Sequence, residues 1–225
     1  MVGFDDLYRH GSALTWQAGK EDVVRQVVER FVDLGPGSRI LDFGCGTGWT
    51  ASILTGTGAR YLGIDPSPEG IAIAQRRNAS IPRARFLRLA LGEPLTEALH
   101  GAKFTHIFAL DALYFVPDLE ATLRALRETL EPGGSLVHIS HIYRESRVAH
   151  DLIDDITRDY GHLHFLSGVQ WQLLLERAGW TDVRRYRFYD RRPFDPSAFL
   201  GHPHEAIALA RELYEKEGAL VMVVR

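Results

Sequence analysis

The chain has a single cysteine, Cys45, among 225 residues. No intramolecular disulfide can form, and a reducing cytoplasm is the default setting. No apolar run approaches the roughly 20 residues that a membrane helix needs. The N-terminus reads Met1-Val2-Gly3-Phe4-Asp5-Asp6, with acids where a secretory signal would carry positive charge. There is no strong charge imbalance either. The net charge of −3 creates no global field toward nucleic acid or an anionic membrane, so neither is expected as a partner. Repeats and low-complexity tracts are also missing. What remains is an ordinary globular composition, 45% hydrophobic and 24% charged, at a length that suits one α/β domain over 1–225.

Against this plain background one segment stands out. Ile40-Leu41-Asp42-Phe43-Gly44-Cys45-Gly46-Thr47-Gly48 is a short apolar run that ends in three glycines at alternate positions. A second apolar run, Arg60-Tyr61-Leu62-Gly63-Ile64, ends in Asp65. Strand, glycine turn, helix, strand and acid make the plan of a nucleotide-binding βαβ unit, in which the acid accepts hydrogen bonds from a ribose diol. Glycine lets the backbone turn sharply and lets a ligand touch the main chain. The dinucleotide fingerprint fails, because the sixth position is Trp49 counted from Gly44 and Ala51 counted from Gly46. No Gly-Lys-Ser/Thr follows, so the loop is glycine-rich without being evidently a phosphate loop. A ligand with a ribose and no pyrophosphate fits better.

The rest of the chain keeps the same rhythm. Val23, Val24, Val27, Val28 and Phe31 predict an amphipathic helix over 21–32, stopped by Gly35-Pro36-Gly37. Strands are expected at 38–43, 60–64, 84–89, 105–110 and 135–140. A helix fills 48–54. Ser67 with Pro68 caps the helix after the second strand. Leu119, Leu123, Leu126 and Leu130 stripe a helix capped by Asp118 and ended by Pro132-Gly133-Gly134. Alternating helices and short apolar strands predict a parallel sheet wound on both faces. A helix over 145–160 then breaks the alternation, and the segment 142–168, just past the fifth strand, is read as a cap over an acceptor pocket. A helix over 171–178, a strand over 183–189, a helix over 203–216 and a strand over 219–224 complete the chain. Residues 1–37 form an N-terminal helical cap region.

Leu41-Asp42-Phe43-Gly44-Cys45-Gly46-Thr47-Gly48 resembles the first motif of the class I S-adenosylmethionine-dependent methyltransferases. The resemblance continues, in the family's order, through Gly63-Ile64-Asp65-Pro66-Ser67, through Phe108-Ala109-Leu110-Asp111-Ala112-Leu113-Tyr114, through Leu130-Glu131-Pro132-Gly133-Gly134-Ser135-Leu136, and through Leu175-Glu176-Arg177-Ala178-Gly179-Trp180. It covers the chain from about Arg39 to the last strand. It implies a Rossmann-like, doubly wound, seven-stranded α/β sheet, mostly parallel, whose last strand inserts antiparallel between the fifth and sixth. It implies S-adenosylmethionine as cofactor, with S-adenosylhomocysteine as product, and a small-molecule acceptor methylated on oxygen or nitrogen. A homodimer is left open.

By resemblance the cofactor residues are Asp42, Gly44, Cys45, Gly46, Gly48, Asp65, Pro66, Ala90, Leu91 and Leu110. Asp42 either helps the cofactor's amino group or supports the turn. Cys45 is a small loop residue, not a nucleophile, since a catalytic cysteine needs a histidine partner. The chain departs from the family where an acid often meets the adenine amino group: Arg88-Leu89-Ala90-Leu91-Gly92 holds none. A second departure, Phe104-Thr105 in place of Phe-Asp, concerns only strand entry.

Methyl transfer to oxygen or nitrogen is a direct displacement that needs alignment and, often, removal of one proton. His141, at the tip of the fifth strand, is the candidate base, as a neutral imidazole suits that task near neutral pH. Asp111 and Tyr114 follow the fourth strand and are further catalytic candidates. Tyr8, Trp16 and His138 are candidate acceptor contacts. His162-Leu163-His164 and His202-Pro203-His204 resemble metal-site fragments without a third partner, so no metal is expected. Arg184, Arg185, Arg187, Arg191 and Arg192 form a basic cluster, read as a solvated edge or a contact for an acidic acceptor. Two other functions stay open: a cyclase or lyase that uses the cofactor without methyl transfer, and a non-catalytic cofactor-binding regulatory subunit.

Overall fold

In the computed structural model, Tyr8, residues 20–194 and residues 204–225 are described. Trp16 and His202 lie outside them. The helices are α1 Glu21–Phe31, α2 Ala51–Leu54, α3 Pro68–Arg77, α4 Leu95–Ala98, α5 Leu119–Glu128, α6 Arg147–Tyr160, α7 Gly168–Arg177 and α8 His204–Glu212. The strands are β1 Arg39–Phe43, β2 Arg60–Asp65, β3 Ala84–Arg88, β4 Phe104–Leu110, β5 Leu130–Ser140, β6 Arg184–Phe188 and β7 Ala219–Val224. They form one seven-stranded sheet in the order β3-β2-β1-β4-β5-β7-β6. The pairs from β3 to β5 are parallel, and β7 runs antiparallel to both β5 and β6, as the family resemblance implies.

The sheet is covered on both faces, and alternating side chains along each strand divide between the two layers. Leu41, Ile107, Leu136 and Met222 join Leu123, Leu126, Trp171 and Trp180 on one face. Their neighbours Ile40, Phe108, Val137 and Val221 join Val23, Val27 and Leu54 on the other. This two-sided burial explains why the strands read as continuous apolar runs. The predicted starts of two helices are realised. Ser67 accepts from the Gly70 N–H at 3.0 Å, and Asp118 accepts from the Ala121 N–H at 2.9 Å.

The sequence expectation needs correction at Pro132-Gly133-Gly134. Helix α5 stops earlier, at Glu128, and these residues belong to a bulge inside β5. Leu130 pairs with Phe104 and Ser135 with His106, so four residues of β5 are accommodated opposite one of β4. Gly133 has φ +80°, a conformation that glycine adopts without penalty. Helix α4 and a 3₁₀ turn at Leu113–Phe115 went unread in the sequence, because a single turn carries no periodicity.

The segment 142–168 packs by its helix α6. Val148 meets Ala210, Leu213 and Tyr214 of the C-terminal helical region, and its partly buried neighbour Leu152 joins them. The basic cluster at β6 is a paired edge: Arg184 binds Asp182, Arg191 binds Asp22 at 2.8 Å, and Arg192 binds Asp190 at 3.0 Å. Among the described residues, no helix is long and apolar enough to cross a membrane.

His138 on β5 is fully buried, with its ring 4.3 Å from that of Trp171. Its Nδ1–H donates to the Ala109 carbonyl at 3.2 Å, and among the described residues neither its Nε2 nor the Trp171 Nε1–H has a partner. Burial lowers its pKa from 6.5 to about 4. Between these values the unfolded chain binds the proton and the folded chain does not, so stability rises with pH across that window. Stability contributed by a neutral His138 is thus complete above pH 6.5 and is lost as pH falls toward 4. Urea titrations should show a loss of about 2 kcal/mol between pH 7 and pH 5 that is largely absent in His138→Gln. An equal loss in both proteins would refute the assignment.

Candidate functional site

A cavity of about 370 Å³ opens at the carboxyl ends of β1, β2 and β4. In an open α/β sheet this edge is where ligands bind. One wall is Phe43 and Gly44 after β1 and Ile64, Asp65 and Pro66 after β2. A second is Leu89, Ala90 and Leu91 after β3. The third comes from Phe115, Val116, Pro117 and Asp118, which lead into α5. Tyr8 and Asp111 complete the lining beside Ala112.

The glycine loop wraps the tip of β2. The Gly44 and Cys45 N–H groups both donate to the Ile64 carbonyl, at 2.8 and 3.0 Å. Gly44 has φ +74°, and a Cβ there would overlap the Ala112 side chain. A Cβ on Gly46 would press on the Tyr8 hydroxyl. Both positions require glycine, because the turn is left-handed and the neighbouring chain packs directly on its backbone. Asp65 braces the loop. Its Oδ2 accepts from the Gly46 N–H and its Oδ1 from the Ser67 N–H, each at 2.9 Å. The carboxylate is thereby fixed at the cavity wall, where it can meet a diol.

Several expected cofactor residues stand one layer back. Asp42 is fully buried. Its carboxylate accepts from the Tyr61 hydroxyl at 2.6 Å and from the Thr50 hydroxyl, and it does not line the cavity. Burial pushes its pKa up. Cys45 is buried beside Gly63, and burial with the nearby Asp42 and Asp65 raises its thiol pKa well above the usual value. Such a thiol is a poor nucleophile. Gly46, Gly48 and Leu110 also lie outside the cavity lining, whereas Pro66, Ala90 and Leu91 are in it.

The polar centre lies at the tips of β4 and β5. Asp111 has φ +49°, a left-handed conformation uncommon outside glycine and often kept at functional sites. It turns its carboxylate to His141. Oδ1 accepts from the His141 backbone N–H at 2.7 Å and Oδ2 from His141 Nδ1 at 2.9 Å. Lys20 Nζ donates to the same Oδ2 at 2.5 Å. Burial raises the Asp111 pKa, but the Lys20 ammonium and the hydrogen bonds it receives overcome that cost and hold its carboxyl far below the usual carboxylate range. An ionised carboxylate only accepts, so Nδ1 carries the imidazole proton and Nε2 is the ring's basic nitrogen. His141 is 2% exposed and stands behind Asp111, with Tyr214 edge-on to its ring at 5.7 Å.

The structure does not bring the other candidates to this centre. Tyr114 is buried against Phe115, and it is Phe115 that reaches the cavity. His138 sits in the core against Trp171, as its place on the apolar face of β5 dictates. None of 142–168 lines the cavity, although His164 Nε2 reaches the Val116 carbonyl at 2.9 Å. His162 and His164 touch through their Nε2 atoms at 3.0 Å, and no group of three metal-ligating side chains occurs among the described residues. Sequence reading missed Lys20 and the Phe115–Asp118 wall. The one signal available for the wall was its position immediately before the Asp118 cap.

A family model described as a methyltransferase domain matches residues 16–185. Ubiquinone biosynthesis O-methyltransferase of Pseudomonas aeruginosa is 27% identical over 150 residues, covering 67% of this chain and 58% of that enzyme. The mitochondrial enzyme of the same name from Rattus norvegicus is 36% identical over 104 residues, covering 44% of this chain and 30% of its own length. The chain thus spans between about a third and three fifths of these relatives. Among solved structures, a methyltransferase in complex with the Haloferax volcanii Trm112 activator superposes with a TM-score of 0.78 at 21% identity, covering 100% of this chain and 97% of that one. The chain belongs to the methyltransferase-domain family, within the class I S-adenosylmethionine-dependent methyltransferases, and S-adenosylmethionine is its cofactor.

Proposed function

We propose that this protein transfers a methyl group from S-adenosylmethionine to an oxygen or nitrogen of a small-molecule acceptor, oxygen being the atom named for its curated relatives. The observation that carries this reading is the Asp111–His141 pair at the strand tips beside the glycine-loop cavity. When bound, the cofactor supplies an electrophilic methyl on a sulfonium sulfur. Asp65 takes the ribose hydroxyls, and the backbone around Ala90 with the apolar side chains of Leu89 and Leu91 packs the adenine. Asp111 fixes the His141 ring by taking its Nδ1–H, which leaves Nε2 as the basic nitrogen that accepts the substrate proton. Tyr8 contributes to the wall over the cofactor, and the apolar turn from Phe115 excludes water.

Two measurements test this. Calorimetry should give cofactor binding near micromolar, about −8 kcal/mol. Incubation with a panel of phenolic and amine acceptors should give a product heavier by one methylene. Cofactor binding with a product of unchanged mass would favour a cyclase or lyase. No binding would overturn the whole reading.

A further inference from the structure

Lys20 has no place in the function described so far. It lies 91 residues from Asp111 in sequence, yet its ammonium reaches Asp111 Oδ2 at 2.5 Å, with side-chain exposures of 13% and 11%. The same oxygen accepts the His141 Nδ1–H. Lysine, carboxylate and imidazole therefore form one hydrogen-bonded row that runs from the start of α1 to the tip of β5.

We infer that Lys20 is a positioning residue that sets the proton affinity of His141 through Asp111. This inference rests on the reading of His141 as the acceptor-facing group. An ionised aspartate bonded to a histidine favours the charged form of the ring. A second cation on the same oxygen competes for that charge. Lys20 thus leaves the imidazole free to release its proton and work as a neutral base. The other groups that face His141 fit this account. Tyr214 from the turn after α8 is held neutral, since burial and then the charges of Asp111 and Asp190 keep its pKa well above the usual value. Among the described residues, the structure shows no other ammonium or guanidinium bonded to Asp111.

The test needs no acceptor. The His141 imidazole resonance in the full chain, identified by its loss in His141→Gln, is titrated by nuclear magnetic resonance. In Lys20→Met the midpoint should rise by about one pH unit, and in Lys20→Arg it should stay near that of the parent. Asp111→Asn should lower it. Lys20→Gln repeats the charge removal should the methionine variant fold poorly. Unchanged midpoints in Lys20→Met and Lys20→Gln would overturn the inference, as would an equal rise in Lys20→Arg. This outcome is separate from the role of His141 itself. If the midpoint moves as expected while His141→Ala keeps full turnover, the charge coupling stands and the base reading fails.

Discussion

Asp65→Ala weakens S-adenosylmethionine binding by roughly 2 to 4 kcal/mol, about thirty- to a thousand-fold. Two effects combine in this expected result. The ribose loses an ionised acceptor held at the cavity wall. The glycine loop also loses its brace, since Asp65 accepts the Gly46 and Ser67 N–H groups. A loop that has to be ordered on binding costs affinity even where every direct contact is preserved. Asp65→Asn keeps one oxygen and should lose less. The two variants are compared by calorimetry, with thermal unfolding of the free proteins as a control for the brace. Binding of Asp65→Ala equal to that of the parent would remove Asp65 from the cofactor site.

His141→Ala lowers kcat by roughly 10² to 10⁴ and leaves cofactor affinity nearly unchanged. The imidazole does not line the cofactor cavity, so its loss spares the ribose and adenine contacts. The parent should show an acidic limb in the pH profile of kcat/KM, because a protonated imidazole cannot accept a proton. That limb should vanish in the variant. Asp111→Asn serves as a companion. It should reduce kcat less steeply while moving the limb, since it disturbs the ring's orientation and charge and leaves the nitrogen in place. Full turnover of His141→Ala at every pH would show that alignment alone drives the reaction.

The parts of this protein that were legible in its sequence are those encoded by local pattern. The apolar run into Gly44, Gly46 and Gly48, and its echo ending in Asp65, specify a strand, a turn and a strand tip within about 25 residues. Parity along a strand was harder to read. His138 and His141 lie three apart, so their side chains point to opposite faces of an extended chain. Only the packing of Trp171 shows that His138 faces a core. Asp42 was ambiguous for the same reason, and its buried bonds to Tyr61 and Thr50 show which way it turns. Lys20 was invisible because it stands just before a helix that reads as plainly amphipathic, and its partner is far along the chain. The Phe115–Asp118 wall was overlooked because a 3₁₀ turn has too few residues to show a period.

The position of β7 also governs when this sheet can be completed. Arg184–Phe188 has one neighbour in the sheet, Ala219–Val224, which is made some thirty residues later. During synthesis β6 therefore waits without a partner while β1 to β5 can already pair. Its companion β7 then has to enter between two strands that precede it in the chain. Contacts of this long reach form slowly, and until they form the Phe188 side of β6 and the open edge of β5 both offer unpaired backbone. Arg184, Arg185 and Arg187 keep that waiting strand charged, which discourages it from pairing with a neighbouring chain in the interval.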